Sequence, residues 1–162
     1  MPQLLVQTGV STFELRSPSG TDQFSSNRRL VGDENSAPDP SFIGSTISDI
    51  FLYKDRLGFA SNENVVMSRA GDYFNFYPTT ATEVLDDDPI DVALDFTDFA
   101  IIRSVITFNN SLLLFSDKHQ FQLHSGNQPL TPKTAVAEMT TSFEYNTGMA
   151  PVGLGPNVYF SE

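Results

Sequence analysis

Residues 47–78 read ISDIFLYKDRLGFASNENVVMSRAGDYFNFYP, and the fold turns on how this stretch is parsed. The segment 50–53 is apolar and stops at Lys54-Asp55, a turn pair. Residues 56–60 alternate, with Leu57 and Phe59 on one face. Ser61-Asn62-Glu63-Asn64 forms a second turn before the run 65–68, and Arg69-Ala70-Gly71-Asp72 a third before 73–77. Short apolar runs divided by Asn, Asp and Gly predict an antiparallel meander of three or four strands, because those turn residues tolerate the positive φ of tight hairpin loops.

The unit recurs. Residues 102–126 read IRSVITFNNSLLLFSDKHQFQLHSG. An offset of 55 residues lays Val105 on Ile50, Phe108 on Tyr53, Leu112 on Leu57, Leu114 on Phe59, Ser116 on Ser61 and Gly126 on Gly71. Asn109-Asn110 then stands at the tight turn in place of Lys54-Asp55, and Asn is among the few side chains that visit the left-handed region. A shorter copy, PVGLGPNVYFSE at 151–162, follows at an offset of 46, with Leu154 in the place of Phe108, Val158 of Leu112 and Phe160 of Leu114. The repetition predicts an all-β fold with little helix, its antiparallel meanders resembling β-propeller blades: two blade-like units plus a partial third. A plain β-sandwich, whose hairpins also look alike, is the competing architecture.

With 162 residues the chain is long enough for one domain with a sizeable core. Fourteen Phe and five Tyr favour pleated, half-buried surfaces, and no window shows a sustained helical period. Cysteine is absent, which rules out disulfides and thiol chemistry and fits a reducing cytoplasm. Met1-Pro2-Gln3 lacks the basic region and apolar core of a signal peptide, and no apolar run approaches the roughly 18 residues of a membrane span, so no membrane anchor is expected. Against a net charge of −11, nine scattered Lys and Arg form no patch, which argues against tight binding to phosphates. An acidic surface is instead one past which a polyanion slides without sticking.

In chain order, region 1–45 holds an N-terminal hairpin around residues 4–7 and 12–15, then a long irregular connection rich in Pro, Gly and Ser, which Phe24, Leu30 and Phe42 would pin to the sheets. The first meander occupies 46–78. Region 79–100 is an acidic connection containing a strand, since Ile90, Val92 and Leu94 alternate with Asp91, Ala93 and Asp95. The second meander occupies 101–126. Region 127–162 supplies strands near 134–139 and 142–145 and leads into the truncated third repeat.

No residue stands out as catalytic, as a cofactor contact or as a metal ligand. Asp86-Asp87-Asp88 has oxygens suited to a hard cation but lacks the spacing of a calcium loop, and reads as a solvated turn. His119 and His124, five apart on one predicted strand, fall on opposite faces and read as surface residues. Gly153-x-Gly155 is followed by Pro156 and by no helix, so it is not a dinucleotide fingerprint. Tyr73, Tyr77 and Tyr145 could serve as platforms for a sugar, which keeps open an alternative: a carbohydrate-binding or carbohydrate-cleaving β-propeller-like module.

Several motifs, taken in order, carry a resemblance. They are Val31-Gly32-Asp33-Glu34-Asn35, Pro38-Asp39-Pro40-Ser41-Phe42-Ile43-Gly44, Asp55-Arg56-Leu57-Gly58-Phe59 and residues 63–76, ENVVMSRAGDYFNF. Asp86-Asp87-Asp88-Pro89-Ile90-Asp91, LLLFSD at 112–117, LTPKT at 130–134 and Asn157-Val158-Tyr159-Phe160 follow. Together they resemble the tail tubular protein B family, the nozzle proteins of short-tailed (podovirus) phages. Members are several times longer, and the opening MPQLLV is similar to an internal family segment, so the chain is expected to be an internal fragment. The resemblance implies a structural virion protein without enzyme activity or cofactor. It implies copies of itself in a hexameric ring, contacts with the tail adaptor protein and tail fibres, and a channel through which DNA passes without sequence-specific binding. The acidic residues from Glu83 to Asp98 are expected to face that lumen.

Overall fold

The computed structural model describes residues 3–16, 29–97 and 99–162; Phe24 and Asp98, invoked above, lie outside them. Among the described residues the regular elements are all strands. β1 (Leu4–Gln7) and β2 (Phe13–Arg16) form the N-terminal hairpin. β3 (Ile47–Tyr53), β4 (Arg56–Ser61), β5 (Asn64–Met67) and β6 (Ile90–Ala93) make one four-stranded antiparallel sheet. β7 (Ile102–Phe108), β8 (Ser111–Ser116), β9 (Gln120–His124) and β10 (Val136–Thr141) make a second, and β11 (Val152–Leu154) with β12 (Asn157–Tyr159) a closing hairpin. The fold is all-β, and in both larger sheets strands adjacent in sequence are adjacent in space.

The 55-residue offset holds in the hydrogen-bond register. Tyr53 pairs with Arg56, and Phe108 with Ser111, at the tight ends; Ala60 pairs with Val65, and Phe115 with Gln120, across the next ladder. The register slips between Ile47 and Asp49 and again between Ile102 and Ser104, so a β-bulge recurs along with the turn. Lys54 and Asp55 have φ of 46° and 59°, Asn109 and Asn110 of 51° and 76°. Two consecutive positive φ values mark type I′ turns, whose twist matches that of the strands. The closing hairpin ends on the pair Leu154 and Asn157, at the 46-residue offset. It turns through Gly155 at φ 59° and Pro156, whose ring holds φ negative; this is the alternative pattern of a type II′ turn.

The two sheets pack face to face around one core. Phe51, Tyr53, Val65, Met67 and Ile90 of the first meet Ile102, Leu112, Leu114, Phe121 and Leu123 of the second. At the junction Ser48 Oγ donates to Ile102 O (2.6 Å) and Tyr53 OH to Asn110 O (2.5 Å). Asp49 Oδ2 accepts from Val105 N–H (2.7 Å) and Ser104 Oγ (3.2 Å). The far face of the first sheet is covered in part by Phe42 and Phe76, which pack on Phe59 and Val66, the three rings having centroids 5.1 to 5.2 Å apart; Ile50 and Leu52 on the same face stay exposed. The far face of the second carries the closing hairpin: a Cβ built on Gly153 would lie 3.6 Å from Ile106 and 3.7 Å from Phe108. Phe115 there meets Tyr145 and Phe160 at 5.3 and 5.2 Å.

Four expectations are corrected. Residues 73–77 are not a strand: Arg69 N–H donates to Asn75 O (2.8 Å) and Asn75 N–H to Asp72 O (3.2 Å), which folds the segment back and drops Phe76 into its aromatic cluster. The fourth strand of the first sheet is β6, taken from the acidic connection. Residues 142–145 are irregular, because the Gln120 side-chain amide binds both the N–H and the C=O of Phe143 and so takes the place of a ladder. Leu30 pins nothing, being 84% exposed, whereas Phe42 is buried as expected. The strand expected near 134–139 is β10, which extends the second meander past residue 126.

Candidate functional site

The acidic loop leading into β6 is organised around one buried cation. Arg56 opens β4, immediately after the first tight turn, and is 2% exposed. Its Nη1 donates to Ser68 O (2.8 Å) and Asp88 O (2.6 Å), with Asp87 O at 3.4 Å, and Nη2 donates to Asp86 O (3.1 Å). The guanidinium fork thus gathers main-chain carbonyls from both ends of the connection 68–89 and clasps it to β4. Desolvation pulls the Arg56 pKa down, opposed by the charges of Asp87 and Asp88.

The three consecutive aspartates form a turn that is solvated only in part. Asp88 is 3% exposed; its Oδ2 accepts from Leu85 N–H at 2.8 Å, and its Oδ1 has no donor among the described residues. Asp87 is bound by Arg69 through Nε (2.9 Å) and Nη2, and that bonding holds its carboxyl below the ordinary range. Asp86 is exposed. The carboxylates diverge while their carbonyls converge.

Of the other acids, Asp91 accepts from Ser41 N–H (2.8 Å) and Asn64 Nδ2 (2.9 Å), tying the N-terminal connection to β5 and β6. Glu83 and Asp95 are exposed. Beside this loop runs a groove of about 380 Å³, lined by prolines and by several of these carboxylates.

The remaining predicted positions resolve individually. His119 and His124 are half-buried and partnered, not free surface residues. The His119 ring lies 4.6 Å from that of Phe96, with Nδ1 3.0 Å from Ser142 Oγ; His124 Nε2 is 3.4 Å from Glu138 Oε2. Tyr77 and Tyr145, 6% and 7% exposed, offer a sugar no platform; Tyr73 is exposed, its hydroxyl donating to Asp55 at 2.6 Å. Burial, then the bond to Asp39, pushes the Tyr77 hydroxyl up to about 12. Sequence reasoning missed Arg56, because its partners are backbone carbonyls 12 to 32 residues away and no side-chain pattern announces them.

Comparison with known proteins agrees with the residue pattern. The bacteriophage nozzle protein family matches residues 1–162. The tail tubular protein gp12 of Escherichia phage T7 is 38% identical over 161 residues, covering 99% of this chain and 19% of that protein, so the chain spans about a fifth of its relative's length.

Proposed function

The chain belongs to the bacteriophage nozzle protein family, and on that footing we propose that it is a non-catalytic piece of the wall of a phage tail, carried in the virion. The observation behind this reading is the recurrence of one turn-and-bulge unit in sheets that stack face to face around one core. Such a stack is stiff and grows by repetition, as a wall requires. In this reading the two meanders are blades, the second completed by β10, and the hairpin within 151–162 begins a third. Copies of the full-length protein form a ring, six in number, that meets the tail adaptor protein and the fibres and lets the genome through.

The acids that would line the channel are the exposed Glu83, Asp86 and Asp95, since Asp87, Asp88 and Asp91 are engaged in the fold. A wall of like charge repels a phosphate backbone. The test is a phage carrying Glu83→Lys, Asp86→Lys and Asp95→Lys together, with DNA release timed by a dye and tails counted by electron microscopy. Normal tails with slower, salt-sensitive release are expected. Unchanged release at low salt would reject the lumen placement, and a label on this segment found outside the tail would reject the tail role itself.

A further inference from the structure

The groove beside the acidic loop has a composition that the wall role does not explain. Its floor is Pro38, Pro40, Phe76, Pro78, Pro89 and Pro132. Proline rings bring apolar surface and no N–H, so this floor presents few donors. Asp39, Glu83, Asp88 and Asp91 also line it, and among the described residues no Lys or Arg does. Arg29 compensates Asp39 at 2.8 Å, but Asp91 meets only neutral donors and Glu83 has no partner among the described residues. Asp88, 3% exposed and within reach of the Arg56 charge, keeps one carboxylate oxygen without a donor among the described residues.

We propose that this groove docks an extended segment of a partner protein in which Lys or Arg alternates with small apolar residues. The apolar side chains lie on the proline and Phe76 floor while the cations meet the carboxylates, in the manner of electrostatic complementarity at an interface. A second copy would have to bring a cationic strand, whereas its nine Lys and Arg are scattered along the chain; a nucleic acid is repelled by the carboxylates that line the groove. The volume of about 380 Å³ accommodates a few side chains. The inference rests on the groove alone and stands or falls separately from the tail-wall reading.

The probe is a short fluorescein-labelled peptide alternating Val and Lys, with a control in which Glu replaces Lys. Binding is read by anisotropy at low and high salt, and its location by amide NMR shifts. The lysine peptide is expected to bind saturably, weaken with salt, and shift amides within 76–91. Glu83→Lys, at an exposed position that bonds to nothing described, should weaken binding about fivefold to tenfold, and Ala81→Arg, at the exposed groove wall, should do the same while both variants melt like the parent. Equal binding of the glutamate peptide, shifts confined to other regions, or unchanged affinity in both variants would overturn the proposal.

Discussion

Replacing Arg56 with Met tests whether the guanidinium clasp holds β6 on the first sheet. Met fills much of the same space but offers no donor, so the carbonyls of Ser68, Asp86 and Asp88, bonded at 2.6 to 3.1 Å, lose their partner together. A hydrogen bond to a charged group contributes roughly 1.5–3 kcal/mol, and breaking a buried charged network by removing one member costs about 3–5 kcal/mol. The lower end of that range applies here, because burying the cation already carries a desolvation cost and Met returns some apolar contact. A loss of about 3 kcal/mol is then a large share of a total of roughly 5–15 kcal/mol. It should lower the melting temperature by about 6–12 °C, from a shift of roughly 2–4 °C per kcal/mol at this chain length. Circular dichroism melts give the magnitude and hydrogen exchange the location: amides of Ile90–Ala93 should lose protection before those of β4. Arg56→Lys should fall between, since one ammonium cannot span carbonyls that the fork reaches through two nitrogens. A loss below about 1 kcal/mol for Arg56→Met, the size of a single ordinary hydrogen bond, would refute the clasp.

Asp49→Ala should cost about 1–3 kcal/mol in urea denaturation by stranding the Val105 N–H at the sheet junction; Asp49→Asn, which keeps one acceptor, should cost less. Asn110→Gly should stabilise by up to about 1 kcal/mol, because the second position of a type I′ turn favours glycine at φ 76°. Asn110→Val should instead cost roughly 1–2 kcal/mol in the same assay. Acid should destabilise in a defined direction. Arg69 and Arg103 hold the Asp87 and Asp117 carboxyls below their ordinary value of about 3.9. Folded-state values lie below unfolded ones, so this stability is complete above the unfolded value and is lost as pH falls through the depressed values. The double variant Asp87→Asn, Asp117→Asn should flatten stability against pH below about 4.

The sheets were legible where local chemistry and long-range pairing agree. Lys54-Asp55, Asn109-Asn110 and Gly155-Pro156 announce tight turns, and the alternation of Ile90, Val92 and Leu94 announces β6. Which strand β6 pairs with was not legible, because its partner β5 lies across a connection whose own residues, Tyr73 to Tyr77, look like a strand. Phe76 has the β-propensity of a strand residue, but three-ring packing with Phe42 and Phe59 claims it instead. The candidate site was the least legible part. Arg56 and Asp49 act on main-chain groups 12 to 56 positions away, and such groups leave no mark in a sequence.

The bulge and the hairpin turn stand at one fixed separation in both sheets, from Asp49 to Tyr53 and from Ser104 to Phe108, whereas the passage from third to fourth strand runs over 68–89 in one and 125–135 in the other. Length change is thereby quarantined. Insertions and deletions can accumulate in that one passage, where the Arg56 clasp and the proline groove also sit, while the spacing that lets neighbouring units stack stays invariant. Over evolutionary time such a module can exchange its outward-facing equipment without renegotiating how it stacks.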